Sequence, residues 1–526
     1  MKRGRTMLYN TILLTATAFL MRTVGMAFQV YLSRQIGAAG IGLFQLIMSV
    51  SMLATTFALS GIRFATTRLV SEELGKNNPG GVKPAVRRCL IYSASFGTAA
   101  MAAMWFGSDY IGGTIIGDYR TVLSLRLLAL SLPAFSLSAV LAGYFTAVSR
   151  VIKSASVQIV EQVIRISFVV AALSIGYSYD LRTACAIIVM GGTLGEICSF
   201  IFLYLLYKFD VRKFPKFGRD TGGMTNRMLR ISLPLALSAY ARTALSTVQN
   251  LLVPRGLRRS GASAEQALAD YGIVQGMVFP VIMFPSALFY SLAELLVPEL
   301  TEAQVRNQRD VISALTSRTL RLCLLFSIGV TAILFRFSGE LGYSIYNNTD
   351  VGRYIRILSL LMPIMYLDTV IDGMLRGLGQ QIYSMKVNII DSLISVLLVY
   401  FLLPTFAVMG YLFMIGFTEV FNFALSLHRL SRITEIRFSV VSIVKSVFCA
   451  AGAISVAVFS LRSLGLPLDS SAVSVTLHIV LSVAAYAAFL AVTDSIDSQD
   501  ISWIKSIFGF QGKFAKTSSK IRKKNV

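Results

Sequence analysis

Long apolar runs restrict the fold of this chain more than any other feature. Over 526 residues it is 55% hydrophobic and only 14% charged, and its runs are near the length of a helix that crosses a bilayer. Their length and the lack of period-2 alternation exclude a membrane β-barrel. We predict an all-α polytopic membrane protein with fourteen transmembrane helices, at 8–33, 40–62, 86–106, 122–148, 155–176, 182–207, 228–253, 270–298, 317–337, 354–376, 384–404, 407–428, 440–462 and 471–493.

The basic charge of the chain follows the alternation of these runs. The net charge is +23, and Lys and Arg concentrate in loops 63–88 and 207–230 and in the tail 505–524. Because basic residues accumulate in cytoplasmic loops, this distribution predicts that both termini are cytoplasmic. No nucleic-acid-binding module accompanies the charge, so we expect membrane lipids and no nucleic acid as partners.

The two ends of the chain have their own patterns. Lys2, Arg3 and Arg5 precede apolar residues as in a signal peptide, but cleavage near 16–18 would destroy an internal repeat, so we favour an uncleaved first span. Residues 496–526 are expected to form an interfacial helix on the anionic inner leaflet, followed by a basic tail.

Residue types that perform catalysis or bind metals are sparse. With two histidines, a histidine-based metal site is implausible, and no nucleotide-binding loop or nucleophile triad is present. We predict no enzymatic activity, no metal and no cofactor. The cysteines are scattered without paired spacing and are expected to be small buried side chains: Cys89, Cys185, Cys198, Cys323 and Cys449.

Two parts of the chain repeat each other. Residues 127–165 align with 357–395 at a constant offset of 230, which matches Pro133 with Pro363 and Gly143 with Gly373. Both halves enter the membrane from the same side, so this is a parallel repeat. We predict an N-lobe at 1–208, a cytoplasmic linker at 209–227, a C-lobe at 228–430, two further helices at 431–495 and the tail at 496–526.

Arginines near the centre of two spans are the best substrate-binding candidates. Arg22 and Gln29 recur as Arg242 and Gln249 at an offset of 220. An arginine at this depth costs at least roughly 2.5–3.5 kcal/mol unless it faces protein or water, and both lie too far from the interfaces to snorkel easily. We predict a polar cavity between the halves that takes an anionic substrate, with Arg63 as a further contact.

Intramembrane acids fall into two groups. Glu161 and Arg165 are four residues apart, which favours a structural pair on one helix face. Asp368, Asp372 and Arg376 follow at four-residue steps and form a predicted coupling or gating group. Asp372 can pair with Arg376, which leaves Asp368 to exchange a proton or hold a cation.

Four segments carry a family resemblance: Arg34–Gln45, Leu252–Leu257, Tyr271–Met277 and Leu296–Glu302. With the fourteen spans, they resemble the multidrug/oligosaccharidyl-lipid/polysaccharide exporter superfamily, in particular its stage V sporulation protein B branch. The resemblance implies a flippase that works by alternating access in the cytoplasmic membrane of a sporulating bacterium. Its expected cargo is an undecaprenyl-pyrophosphate-linked saccharide, lipid II above all, moved from the inner to the outer leaflet.

Two other functions remain open. A cation-coupled drug exporter of the same superfamily is disfavoured because the first two spans hold arginines and no mid-span acid. A membrane scaffold that recruits cell-wall synthesis proteins through its basic loops and tail would leave the buried charges unexplained.

Overall fold

Helices form every element that the computed structural model describes, and the prediction of an all-α membrane protein is confirmed. The described residues are 2–175, 179–215, 223–436, 440–463, 465, 468, 469, 471–493, 495, 496, 500 and 502. The predicted interfacial helix and basic tail therefore lie almost wholly outside the described residues, as does part of the predicted linker.

Eighteen α-helices follow one another in the described part of the chain, joined by short 3-10 and π-helical segments. They are α1 (Lys2–Leu59), α2 (Ile62–Gly75), α3 (Val82–Tyr110), α4 (Val122–Ala129), α5 (Leu132–Ala147), α6 (Val151–Ile175), α7 (Leu181–Asp210), α8 (Met224–Arg259), α9 (Ala264–Gly272), α10 (Phe279–Met283), α11 (Ala287–Val305), α12 (Arg309–Arg336), α13 (Ser338–Tyr346), α14 (Thr349–Ser359), α15 (Met362–Gly377), α16 (Gln381–Ile433), α17 (Val440–Ser463) and α18 (Ala472–Val492).

Eight helices of the described chain are long and apolar enough to cross a membrane, or up to ten if each of two bent pairs is one span. Two of the eight, Phe19–Gly75 and Gln381–Ile433, contain 57 and 53 residues and are interrupted at Gly37 and Ala407. Because about 20 helical residues already span the hydrocarbon core, each accounts for two predicted spans. The seventh and eighth predicted spans correspond to α8 and to the broken segment α9–α11.

Prolines mark the bends of both repeats. The pair α4–α5 bends by 43° and the pair α14–α15 by 59°, and Pro133 and Pro363 lie in the first turn of α5 and α15. Proline lacks the donor that would continue a preceding helix, so the aligned prolines place equivalent bends. Pro280 lies in the first turn of α10 and Pro285 within the break that follows it, whereas Pro234 lies inside the continuous α8.

Contacts divide the chain into two compact units. Unit 1 comprises the described residues within 1–30, 273–391 and 412–526, and unit 2 those within 31–272 and 392–411. The predicted lobes follow chain order, whereas these units place the start of α1 with α10–α15, and α8 with α2–α7. The six-helix lobes themselves stay a prediction.

Glycines allow close helix packing within each unit. In unit 2, a Cβ atom at Gly195 of α7 would lie 3.1 Å from the carbonyl oxygen of Glu161 in α6. In unit 1, a Cβ atom at Gly373 of α15 would lie 2.7 Å from Cβ of Ala293 in α11. Small residues let helix backbones approach in a membrane, and these contacts bring the acids of α6 and α15 against neighbouring helices.

Candidate substrate and coupling sites

A break in unit 1 holds Arg22. Between α10 and α11 the backbone leaves the helical path at 284–286. Arg22 Nη2 lies 2.6 Å from the main-chain oxygen of Met283 and 3.3 Å from Oγ of Ser286. Its guanidinium also lies 5.6 Å from the ring centroid of Tyr290. All three partners are uncharged, so the guanidinium retains its full positive charge.

Two more side chains donate to carbonyl groups just before this break, in the π-helical segment Ile273–Val278 and in α10. Gln29 Nε2 donates to the main-chain oxygen of Gly276 at 3.1 Å, and the hydroxyl of Tyr366 donates to that of Ile282 at 2.6 Å. In a bilayer, irregular backbone is tolerated only where protein groups or water satisfy it. The start of α1 and α15 thus stabilise the interrupted helix.

In unit 2, two predicted arginines are accessible and unpaired. Arg63 and Arg242 are exposed, and the described residues offer neither of their guanidinium groups an ion-pair or hydrogen-bond partner. Thr243, beside Arg242, is buried and accepts a hydrogen bond from the hydroxyl of Thr56 at 3.3 Å. Arg242 therefore differs from Arg22, its repeat counterpart, which is held by three neutral groups. The described structure gives Gln249 an interaction of its own.

The predicted coupling acid of unit 1 belongs to a larger cluster. The carboxylates of Asp368, Asp391 and Glu419, from α15 and the two parts of α16, are close enough to repel one another. One carboxylate oxygen of Asp368 and one of Asp391 are buried without a hydrogen-bond partner among the described residues. The helices of this cluster also carry two uncharged amide side chains, and Asn422 Nδ2 donates to Oδ1 of Asn388 at 3.1 Å. No arginine or lysine forms an ion pair with these three acids in the described part of the chain.

Asp372 and Arg376 form a separate, more accessible pair. Arg376 Nε lies 3.5 Å from Oδ2 of Asp372, and the two side chains are 44% and 37% exposed, respectively. This leaves Asp368, one turn earlier, outside the pair. The described residues contain no group of three or more His, Cys, Asp or Glu side chains that could hold a metal ion.

In unit 2, Arg165 contacts a different residue from the one predicted. Its Nη2 donates to the side-chain oxygen of Gln162, and no ion pair with Glu161 is formed within the described structure. Arg165 nevertheless lies near the carboxylates of Glu161 and Glu196, which also act on each other. The predicted pair is thus a cluster of two acids and one guanidinium. A side chain three residues away is as close on a helix as one four away, so spacing alone could not select the partner.

Two carboxylates at helix ends form ion pairs with basic side chains of the same unit. Asp210, at the end of α7, is 1% exposed and accepts from Arg150, from Lys153 at 2.9 Å and from the hydroxyl of Tyr144 at 3.0 Å. At the end of α2, Glu73 is fully buried and pairs with Arg227 at 3.0 Å. These acids are neutralised by the fold itself.

Several residues of these sites were not among the predicted site residues. Ser286 and Tyr290 follow Pro285, which marks a break, but nothing local indicates that Arg22 is their partner. Asp391 could be found through the repeat, because it aligns with Glu161. Glu196 and Glu419 are isolated acids in apolar runs, which marks them as functional candidates without naming a partner.

Comparison with known proteins places the chain in a family. The family model for "Polysaccharide biosynthesis protein" matches residues 7–304, more than half of the chain. The chain belongs to this family. A second family model, MatE, matches residues 259–401. The superfamily that the sequence motifs resemble is thereby confirmed.

Two relatives from one bacterium resemble the chain over most of its length. Stage V sporulation protein B of Bacillus subtilis (strain 168) is 25% identical over 512 residues, which cover 96% of this chain and 98% of the relative. Lipid II flippase MurJ of the same organism is 20% identical over 421 residues, 74% of this chain and 76% of its own.

The fold agrees with that family. A solved structure of lipid II flippase MurJ in an inward closed conformation matches 92% of this chain and 98% of its own, with a TM-score of 0.70 and 14% identity. Family and fold are those of transporters and flippases and not of enzymes. The protein is therefore a multi-pass membrane protein of the transporter and flippase class.

Proposed function

We propose that this protein is a flippase for an undecaprenyl-pyrophosphate-linked saccharide, with lipid II as the favoured cargo. It would move the headgroup from the inner to the outer leaflet of the bacterial cytoplasmic membrane, with both chain termini in the cytoplasm. The observation that carries the proposal is a set of arginines, within a span or at its end, whose charge no acid of the described chain neutralises: Arg22, Arg63 and Arg242. The named activity of the MurJ relative supports the choice of lipid II.

We assign the phosphates of the headgroup to these arginines. Charge-assisted hydrogen bonds from a guanidinium to phosphate are among the strongest polar contacts a protein can offer. Arg63 and Arg242 are accessible, and Arg22 has only neutral neighbours, so each can receive an anion at some stage of the transport cycle. Gln29 keeps its side-chain oxygen for a sugar hydroxyl, and Gln249 is assigned the equivalent contact in unit 2.

Coupling is assigned to Asp368 together with Asp391 and Glu419. Three neighbouring carboxylates without a cation are costly in an apolar interior. Because a protonated carboxyl group is far less costly than a carboxylate in an apolar interior, we propose that a proton neutralises the cluster and leaves it in another step of the cycle. Asp372 and Arg376, one turn away from Asp368, would adjust to that change as a gating pair.

Outward exposure of lipid II tests the cargo. The experiment uses cells depleted of their other lipid II flippases and measures how much lipid II is accessible from outside. Expression of the wild-type chain should restore exposure, while R63A and R242A should lower it at least about tenfold, because one charge-assisted contact contributes roughly 1.5–3 kcal/mol.

Matched controls are available on the same helices. Arg68 of α2 is exposed and paired with Glu72 at 3.0 Å, and Arg230 of α8 is also exposed, so R68A and R230A should transport normally. If correctly inserted wild-type protein restores no exposure, lipid II is not the cargo. If R63A and R242A transport as well as R68A and R230A, the assignment of the arginines is wrong.

A drug exporter is the second candidate, because the MatE match at 259–401 includes Asp368 and Asp391. An exporter of cationic compounds should raise drug resistance in an expressing strain, and D368N should abolish that resistance while R63A and R242A leave it unchanged. A scaffold for cell-wall synthesis proteins would instead lose its function on removal of 505–526 and keep it in the arginine variants.

A further inference from the structure

The helix break in unit 1 leaves backbone groups that need partners within the membrane. After α10 the α-helix is interrupted at 284–286, and the oxygen of Met283 accepts a turn hydrogen bond from the main-chain N–H of Ser286 at 3.2 Å. An unsatisfied carbonyl in an apolar interior costs several kcal/mol. Arg22 Nη2 and the hydroxyl of Ser286 both donate to this oxygen, each at 2.6 Å. One backbone atom therefore accepts from two side chains.

The same contacts fix the orientation of Arg22. Because the Ser286 hydroxyl donates its proton to Met283, its oxygen is free to accept from Arg22 Nη2 at 3.3 Å. Ser286 is fully buried, so this hydrogen bond is shielded from competing water. The ring of Tyr290, one turn further on, lies 5.6 Å from the guanidinium carbon, close enough for a cation–π contact.

Most N–H groups of the Arg22 guanidinium have no hydrogen-bond partner among the described residues. An arginine offers five N–H donors, and the described contacts engage Nη2 alone. Nη1 and Nε have no partner among the described residues, which leaves three N–H groups. No carboxylate forms an ion pair with Arg22 in the described structure. By contrast, Arg227 and Arg150 of unit 2 are paired with buried carboxylates.

We propose that Met283, Ser286 and Tyr290 are positioning residues for substrate binding. They hold Arg22 through neutral groups only, so that its charge and three of its N–H groups remain available to the phosphates of the substrate. A carboxylate in their place would orient the side chain equally well but would cancel the charge. This inference rests on the proposed function and specifies how one of its arginines is prepared before the anion arrives.

The proposal is tested by measuring the affinity of the full-length protein in nanodiscs for undecaprenyl pyrophosphate. Undecaprenyl phosphate and inorganic pyrophosphate serve as comparison probes. Y290L removes the ring and Y290F keeps it, while S286A removes the hydroxyl and S286T keeps it. We expect Y290L and S286A to raise the Kd for undecaprenyl pyrophosphate about three- to tenfold, since one cation–π or hydrogen-bond contact contributes roughly 0.5–1.5 kcal/mol. Y290F and S286T should stay within about twofold of wild type on the same scale.

Thermal unfolding of the same variants separates positioning from folding. The proposal expects Kd to rise in Y290L and S286A without a matching fall in Tm. It is overturned if Kd is unchanged in both variants, or if Kd changes only in proportion to Tm. R22A distinguishes this failure from that of the proposed function: if R22A loses affinity while Y290L and S286A do not, Arg22 binds substrate without these residues. If R22A binds undecaprenyl pyrophosphate like wild type, Arg22 is not a substrate contact.

Discussion

Each unit contains a cluster of intramembrane acids, and the two clusters differ in how their charge is neutralised. In unit 2, Glu161 and Glu196 lie near the guanidinium of Arg165. In unit 1, Asp368, Asp391 and Glu419 lie near one another, and the described chain forms no ion pair with them. One cluster has an internal cation, and the other has no ion-pair partner among the described residues.

The internal repeat explains how this difference arose within one architecture. At the offset of 230, Glu161 aligns with Asp391, so both copies keep an acid there, whereas Arg165 aligns with Ser395 and Ser138 with Asp368. The second copy of the repeat thus has one acid more and one base fewer at these equivalent positions. A permanent internal cation suits a structural cluster, while its absence suits a cluster whose charge changes during transport.

The largest effect is expected for D368N. Asparagine cannot lose a proton, so the cluster would stay partly neutral and coupling would fail. Transport of lipid II should fall about tenfold or more, within the usual range of a lost coupling free energy. The measurement is the rate of outward exposure at matched protein level. E161Q is the matched change in unit 2 and should keep transport within about threefold on the same scale; equal loss in both variants would remove the functional distinction.

The second-largest effect is expected on stability, when an acid that forms ion pairs within the fold is replaced. Asp210 is buried with Arg150, Lys153 and Tyr144 around it, and D210N should destabilise the protein by about 2–3 kcal/mol because these donors lose a charged acceptor. Thermal unfolding in nanodiscs measures this. Transport per folded molecule should be unchanged, and a selective loss of transport would show that Asp210 is more than a structural acid.

R165S places in the first copy of the repeat the serine that the second copy has at position 395. It leaves Glu161 and Glu196 without their cation, so we expect a destabilisation of about 2 kcal/mol, less than for a fully buried pair because Arg165 is partly exposed. The double variant E161Q/R165S should recover a large part of this loss in thermal unfolding, as expected for coupled charges. Independent, additive effects would contradict the internal counter-ion role of Arg165.

The smallest effect is expected for D372N. Asp372 and Arg376 are 37% and 44% exposed, and ion pairs of this kind contribute about 0–1 kcal/mol. Stability should therefore change by less than about 1 kcal/mol. Transport should fall much less than in D368N, which differs by one helical turn. A loss as large as that of D368N would show that the gating pair and the acid cluster act as one group.

Local patterns in the sequence account for much of this structure. Apolar runs predict the helices because a bilayer permits few alternatives to a helix of that length. Pro133 and Pro363 predict equivalent bends because proline interrupts helical hydrogen bonding wherever it occurs. The repeat places Glu161 and Asp391 in equivalent helices. Each of these inferences depends on residues close together in the chain.

What the sequence by itself determined is therefore the all-helical membrane class, the bends and the positions of the buried charges. Only the tertiary structure decided their partners: Arg22 contacts Met283 and Ser286, 261 and 264 residues away, while its repeat counterpart Arg242 stays unpaired in the described structure. Helical periodicity fixes which face a side chain occupies, but a partner on another helix depends on how that helix packs and where it breaks. Identical residues at equivalent positions of the repeat, such as Arg22 and Arg242, can for that reason have different partners.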